Sequence, residues 1–126
     1  MLNFDKTLKD DYIFSKDFTP TIDDIIVKNC IPTLTTLFRT DYIFRYYDEV
    51  NPVKQRWRMG DYPTWIWMSL NSKIKYLSDI TSVYRCIQGS MSHCKDAEKQ
   101  ITFILNTIDI RKFFKERYNK IGRAHV

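Results

Sequence analysis

Arg58-Met59-Gly60-Asp61-Tyr62-Pro63-Thr64-Trp65-Ile66-Trp67-Met68 is the stretch of sequence on which the interpretation of the whole chain depends. A glycine and a single carboxylate, Asp61, precede a helix that is apolar on nearly every side and runs to about Leu70. Pro63 fits its first turn, where N–H groups have no intrahelical partner to lose. A helix without a polar face normally lies buried in a larger domain. We therefore expect Asp61 at the rim of a hydrophobic core, where a carboxylate can cap the helix or take part in chemistry.

Upstream of this stretch the sequence predicts a helix, a strand and a second helix. The first helix covers residues 19–29, with Thr19 or Thr21 as its cap and isoleucines at positions 22, 25 and 26 as its buried stripe. The β-branched run at residues 33–39 follows Pro32 and is typical of a strand. Asp41 is the predicted cap of the next helix, which carries several aromatic side chains. Residues 53–59 are basic and are interpreted as a loop or a helical turn.

Downstream the sequence predicts two strands and a long closing helix. Residues 74–77 alternate as in a strand, and residues 80–87 form a second β-branched run. Residues 95–118 have apolar side chains at the helical period, and these widen into more than one apolar surface. Helices and strands in this order indicate an α/β layered fold with few strands. The core looks larger than this chain alone can enclose.

Bulk composition excludes several classes of protein. The 126 residues are 44% hydrophobic and 15% aromatic, which is too rich for a disordered chain. No apolar run approaches the length of a membrane helix, and the start has no signal-peptide pattern, so we expect a cytoplasmic protein. The three cysteines, Cys30, Cys86 and Cys94, lack metal-ligand spacing and are interpreted as structural thiols. No metal ligands are assigned.

The charge balance is mildly basic, with a formal net charge of +5. A cluster near the end of the last helix comprises Arg111, Lys112, Lys115, Arg117 and Lys120. Such a cluster is most often a solvated helix face, and the alternative is a surface that contacts anionic phosphates.

The two ends of the chain do not follow the periodic patterns of the residues between them. Residues 1–18 hold scattered aromatic and charged side chains with little periodicity, and are predicted to be an irregular lead-in. Residues 121–126 break the helical pattern and can be spelled by a common sequencing adapter. We predict that they are an adapter artefact, which resequencing of the 3′ end would refute by finding the same codons. They are excluded from functional interpretation.

Four short patterns in one order resemble the C-terminal half of an inverting family-two glycosyltransferase with the GT-A fold. They are Gly60-Asp61-Tyr62-Pro63-x-Trp65, Ile74-Lys75-Tyr76-Leu77, Thr81-Ser82-Val83-Tyr84-Arg85 and Gly89-Ser90-x-Ser92-His93. The resemblance extends upstream to Arg39 and covers roughly residues 19–118. It implies that residues 1–120 are the C-terminal portion of a catalytic domain, incomplete and inactive without an N-terminal half.

The resemblance also implies a reaction. A sugar would pass from a nucleotide-sugar donor to the hydroxyl of a saccharide or lipid-linked acceptor, with inversion, in polysaccharide or glycoconjugate synthesis. Asp61 would be the general base. A divalent cation, magnesium or manganese, would offset the leaving diphosphate, but its Asp-x-Asp ligands belong to the half that this chain does not contain. The enzyme would act at the inner face of the cell membrane, without nucleic acid.

Five further residues are candidates for substrate binding: Arg39, Trp65, Tyr84, Arg85 and His93. Each also has a structural interpretation. Trp65 is more often a core residue than a sugar platform, and Arg39 and Arg85 can simply pair with nearby acids. Ile87 stands where the family often carries a histidine, so the role of His93 stays open.

One alternative is a structural α-rich domain whose likeness to the glycosyltransferases is chance. Another is a small basic interaction module, without catalysis, that binds anionic lipid or nucleic acid. The chain carries no recognisable nucleic-acid motif and no dense basic stripe, which counts against this alternative.

Overall fold

The computed structural model describes residues 17–83, 85, 87 and 95–118. Within these ranges the chain forms five α-helices and one 3₁₀ turn. The helices are α1 (Ile22–Val27), α2 (Thr40–Val50), α3 (Pro52–Gln55), α4 (Asp61–Asn71) and α5 (Ala97–Arg117), and the 3₁₀ turn is Thr33–Thr35. Four predicted helices, those near α1, α2, α4 and α5, are therefore confirmed. At residues 53–59, predicted as a loop or a helical turn, the short helix α3 covers the first three positions.

The centre of the fold is α4, as its apolar sequence predicts. The side chains from Tyr62 to Met68 are buried without interruption, and α1, α2 and α5 all pack against this helix. Its neighbours contribute Ile25 from α1, Tyr46 and Val50 from α2, and Ile110 and Phe114 from α5. Three helices around one apolar helix remove its whole circumference from water, which is why no polar face is needed.

A side-chain capping box marks the start of α1, whereas α2 begins without a side-chain cap. At α1 the Asp24 carboxylate accepts from the backbone N–H of Thr21 at 2.8 Å and from its hydroxyl at 3.0 Å, so Thr21 is the cap. The prediction that Asp41 caps α2 is wrong, because the cap position belongs to Arg39, two residues earlier, and α2 begins at Thr40. Asp41 lies in the first turn, and one of its carboxylate oxygens is 3.2 Å from Arg39 Nε.

Helix α5 has two apolar surfaces, and the fold covers one of them. Its first turn is capped by Asp96, whose carboxylate accepts from the backbone N–H groups of Glu98 and Lys99. Ile110 and Phe114 are fully buried, and Trp57 packs on the rings of Phe113 and Phe114. The residues on the opposite side stay exposed; they are Ile101, Ile104, Leu105 and Ile108.

The α/β prediction, and with it the GT-A fold, is wrong for the residues that the structure describes. None of these residues lies in a strand, and the only β pairing among them is an isolated antiparallel bridge between Phe18 and Tyr76. Residues 33–39, predicted as a strand, open with the 3₁₀ turn. The second and third predicted strands, at residues 74–77 and 80–87, have no ladder; Tyr84 and Cys86 lie outside the described residues.

Threonine hydroxyls explain why the first predicted strand does not form. The Thr35 hydroxyl donates to the Pro32 carbonyl at 2.7 Å, and the Thr36 hydroxyl donates to the Thr33 carbonyl at 2.8 Å. Such bonds offer the backbone a local alternative to a sheet ladder. A β-branched run becomes a strand only where a neighbouring strand meets it.

Candidate functional site

The carboxylate of Asp61 stands at the head of α4, at the edge of the core. The cap position belongs to Gly60, so Asp61 is the first helical residue and makes no cap hydrogen bond there. Instead its Oδ2 accepts from Asn29 Nδ2 at 3.2 Å and from the Thr33 hydroxyl at 3.5 Å. Asp61 is half-buried. The geometry gives a carboxylate held through one oxygen by two neutral donors, rather than a helix cap.

Two segments bring these donors to Asp61. Asn29 follows the end of α1, which packs on α4, and Thr33 opens the 3₁₀ turn. Sequence analysis missed both residues as partners of Asp61. They lie 32 and 28 positions away, and no local pattern signals such a contact. Asn29 is simply the last residue of the first predicted helix.

Trp65 lies one helical turn after Asp61 on α4 and belongs to the hydrophobic core. It is 5% exposed, and its ring contacts the edge of Phe38 with centroids 6.1 Å apart. Its indole Nε1 is buried and has no hydrogen-bond partner among the described residues. The core interpretation of Trp65 therefore holds, although it is brought close to the candidate base.

The other predicted site residues are not gathered around Asp61. Arg39 directly follows Phe38, but its guanidinium is largely exposed and pairs with Asp41. Arg85 is exposed and lies in no regular element. Tyr84 and His93 lie outside the residues that the structure describes. Of the predicted site residues that the structure describes, Asp61 and Trp65 lie one turn apart on α4.

Arg111 has a structural role that the basic cluster did not suggest. Its Nε donates to the Tyr62 hydroxyl at 2.9 Å, and its Nη2 donates to the Val27 carbonyl at 2.7 Å. The Tyr62 hydroxyl in turn donates to the Ile26 carbonyl at 2.9 Å. One guanidinium therefore joins α5 to α1 and α4. Lys112 and Lys115 are exposed, as a solvated helix face requires, and Lys120 lies outside the described residues.

Cys30 is a poor candidate for a nucleophile. Burial raises the pKa of its thiol above the usual range. Because the thiolate is the reactive form, little of it exists near neutral pH. Cys86 and Cys94 lie outside the described residues.

The cation implied by the resemblance has no fitting ligand set in the described part of the chain. No group of three or more histidine, cysteine, aspartate or glutamate side chains there could hold a metal ion. Asp24, which follows another aspartate, uses its carboxylate to cap α1. No step of the chemistry is therefore assigned to a metal held by these residues.

A cavity of about 280 Å³ lies at the junction of α1 and α5, and Asp61 is not among its lining residues. It is lined by Ile26, Ile108, Arg111, Lys112 and Lys115. The candidate base and this cavity are therefore separate features.

Comparisons with protein-family models, with curated proteins and with solved structures found no match to this chain. Among the described residues, none of the helices combines the length and the apolar character needed to cross a membrane.

Proposed function

We propose that this chain supplies the acceptor side of an inverting sugar transferase, with Asp61 as the general base. The observation that carries the proposal is the half-buried carboxylate at the head of α4, whose Oδ2 is held by Asn29 and Thr33. These two hydrogen bonds leave Oδ1 as the oxygen that takes a proton. A base must be fixed within hydrogen-bonding reach of the proton it removes, and two neutral donors fix it without neutralising its charge.

The chemistry assigned to Asp61 is a single displacement. The acceptor hydroxyl forms a bond to the anomeric carbon while the bond from that carbon to the nucleotide diphosphate breaks. Asp61 takes the hydroxyl proton, and the nucleoside diphosphate leaves with the bonding electron pair. Attack from the face opposite the leaving group inverts the anomeric centre and requires one base and no covalent intermediate.

The resemblance of residues 19–118 supports the same assignment, since it puts a base at the position of Asp61. By that resemblance Arg39, Trp65, Tyr84, Arg85 and His93 are candidates for substrate contact. Trp65 is a buried core residue one turn after Asp61 on α4. The nucleotide-sugar donor and its divalent cation would be bound by residues other than those described above.

The test replaces Asp61 in the protein encoded by the whole open reading frame that contains these codons. Release of nucleoside diphosphate from a panel of nucleotide sugars would be measured with saccharide and lipid-linked acceptors. Asp61→Asn is expected to lower turnover by about a hundredfold or more, with little change in melting temperature. The matched control is Glu98→Gln, which alters another first-turn acid, on the exposed start of α5. An Asp61→Asn enzyme that turns over like the wild type would refute the proposal.

A further inference from the structure

The uncovered face of α5 is a continuous apolar stripe. Ile101, Ile104, Leu105 and Ile108 recur at helical spacing on the side opposite Ile110, and each is 39–57% exposed. Single exposed apolar side chains are ordinary on protein surfaces, whereas a contiguous apolar patch marks an interaction site.

Two lysines extend the stripe along the same side of α5. Lys112 and Lys115 lie four and seven residues after Ile108, so they share its side of the helix, and both are exposed. Beside them the cavity at the α1–α5 junction is lined by Ile26 and Ile108 together with three cationic residues. Next to Ile26, Val27 of α1 is 72% exposed and enlarges the apolar area. Three exposed acids, Glu98, Asp109 and Glu116, run along one edge of the stripe, on the side of Leu105 and away from Ile104 and Lys115.

An apolar stripe that carries lysines distinguishes between two kinds of binding partner, another protein and a lipid bilayer. Lysine is depleted at the centres of protein–protein interfaces because its ammonium group is costly to strip of water. At a bilayer surface, lysine instead lays its aliphatic stem along apolar groups and keeps its ammonium at the level of the lipid phosphates. Apolar side chains then enter the acyl boundary while the cations meet anionic headgroups.

We infer that the outer face of α5, defined as Ile101, Ile104, Leu105, Ile108, Lys112 and Lys115, binds the surface of an anionic lipid bilayer. The helix lies in the plane of the surface, because its other side is packed on the core through Ile110 and Phe114. The inference goes beyond sugar transfer and does not depend on it.

The test measures cosedimentation of the purified 126-residue chain with vesicles of phosphatidylcholine, with and without phosphatidylglycerol. Binding is expected to the anionic vesicles, and to fall about tenfold as NaCl rises from about 50 to about 500 mM, because salt screens the lysines. Lys112→Gln combined with Lys115→Gln should weaken binding about tenfold or more. Ile104→Ser combined with Leu105→Ser should weaken it by a similar factor, since less apolar surface enters the bilayer.

Matched controls alter the same residue types elsewhere. Lys54→Gln on α3 and Leu37→Ser before α2 change exposed side chains away from α5 and should leave binding unchanged. All six substitutions are at exposed positions, and circular dichroism verifies that each variant is folded. Equal binding to neutral and anionic vesicles would overturn the inference. The inference would also be overturned if the chain bound no vesicles but formed a dimer, and if Ile104→Ser with Leu105→Ser abolished that dimer. The outer face of α5 would then bind a second copy of the chain.

Discussion

At the scale of single residues, the hydrogen bonds to Asp61 predict how substitution of its partners would change catalysis. Asn29 donates to Asp61 from just beyond the end of α1, so under the proposed function it would be a positioning residue rather than a catalytic one. With Asp61 as the proposed base, Asn29→Ala is expected to lower kcat about tenfold while KM stays within about twofold, because the base loses its orientation and not its charge.

Thr33 provides the internal comparison for that prediction. Thr33→Ser keeps the hydroxyl that lies 3.5 Å from Asp61 Oδ2, and Thr33→Val removes it at equal size. Steady-state kinetics should show wild-type kcat for the serine variant and a lower kcat for the valine variant. If Asn29→Ala instead raised KM and left kcat unchanged, Asn29 would be an acceptor-binding residue.

Tyr46 makes the stability of the fold depend on pH in the alkaline range. Burial raises the pKa of this phenol to about 12. The free energy of unfolding is therefore unaffected below the unfolded-state pKa of about 10, and falls as the pH rises from there through about 12, by about 2 kcal/mol in all. The reason is that the unfolded chain releases the phenolic proton first.

Urea unfolding of the wild type and Tyr46→Phe at about pH 9 and about pH 11.5 measures this loss. The phenylalanine variant should be nearly as stable as the wild type at the lower pH, because the buried Tyr46 hydroxyl oxygen has no well-aligned hydrogen-bond partner among the described residues. It should also lose less stability on going to the higher pH. Equal losses in the two proteins would show that Tyr46 titrates at its ordinary pKa.

At the scale of elements, one arginine determines how three helices meet. Arg111→Met removes the hydrogen bonds to the Tyr62 hydroxyl and the Val27 carbonyl, while keeping the helix propensity and much of the stem. The free energy of unfolding should fall by about 2 kcal/mol, the scale of hydrogen bonds to charged groups. Lys112→Met, at the exposed neighbouring position, should change it by less than about 0.5 kcal/mol. Chemical denaturation compares the two, and equal effects would mean that Arg111 does not join the helices.

The secondary-structure elements also show which parts of the fold local sequence patterns can predict. Thr21 with Asp24, Asp96 with its downstream N–H groups, and the unbroken apolar run of α4 are local signals, so the helices were predictable. The sequence wrongly predicted a strand at residues 33–39. A strand forms only where it pairs with a neighbour, and here the threonine hydroxyls donate to nearby backbone carbonyls instead. In α5 both sides are apolar, so periodicity could not tell which side the core would take.

At the scale of the whole molecule, the candidate site was only half predictable for a related reason. Asp61 and Trp65 are one turn apart on one helix, so sequence spacing brings them together. Asn29 and Thr33 reach Asp61 only because α1 packs on α4 and the chain then turns. Contacts of this kind are made by tertiary packing and leave no trace in local sequence.

The same packing predicts an order of local stabilities across the molecule. Helix α4 is enclosed by α1, α2 and α5, so its amide hydrogens should exchange only when the core opens as a whole. The exposed segment at residues 78–81 makes few core contacts, and its amides should exchange through local fluctuations. Native-state hydrogen exchange should therefore find the slowest amides in Trp65, Ile66 and Trp67, slower by about a thousandfold or more than those of residues 78–81.

Ile66→Ala should speed exchange throughout α4, because it removes a fully buried side chain and lowers the stability of the whole core. Leu37→Ser, at a fully exposed side chain, should leave the α4 rates unchanged. Amides of α4 that exchange as fast as those of residues 78–81 would contradict an arrangement in which three helices enclose α4.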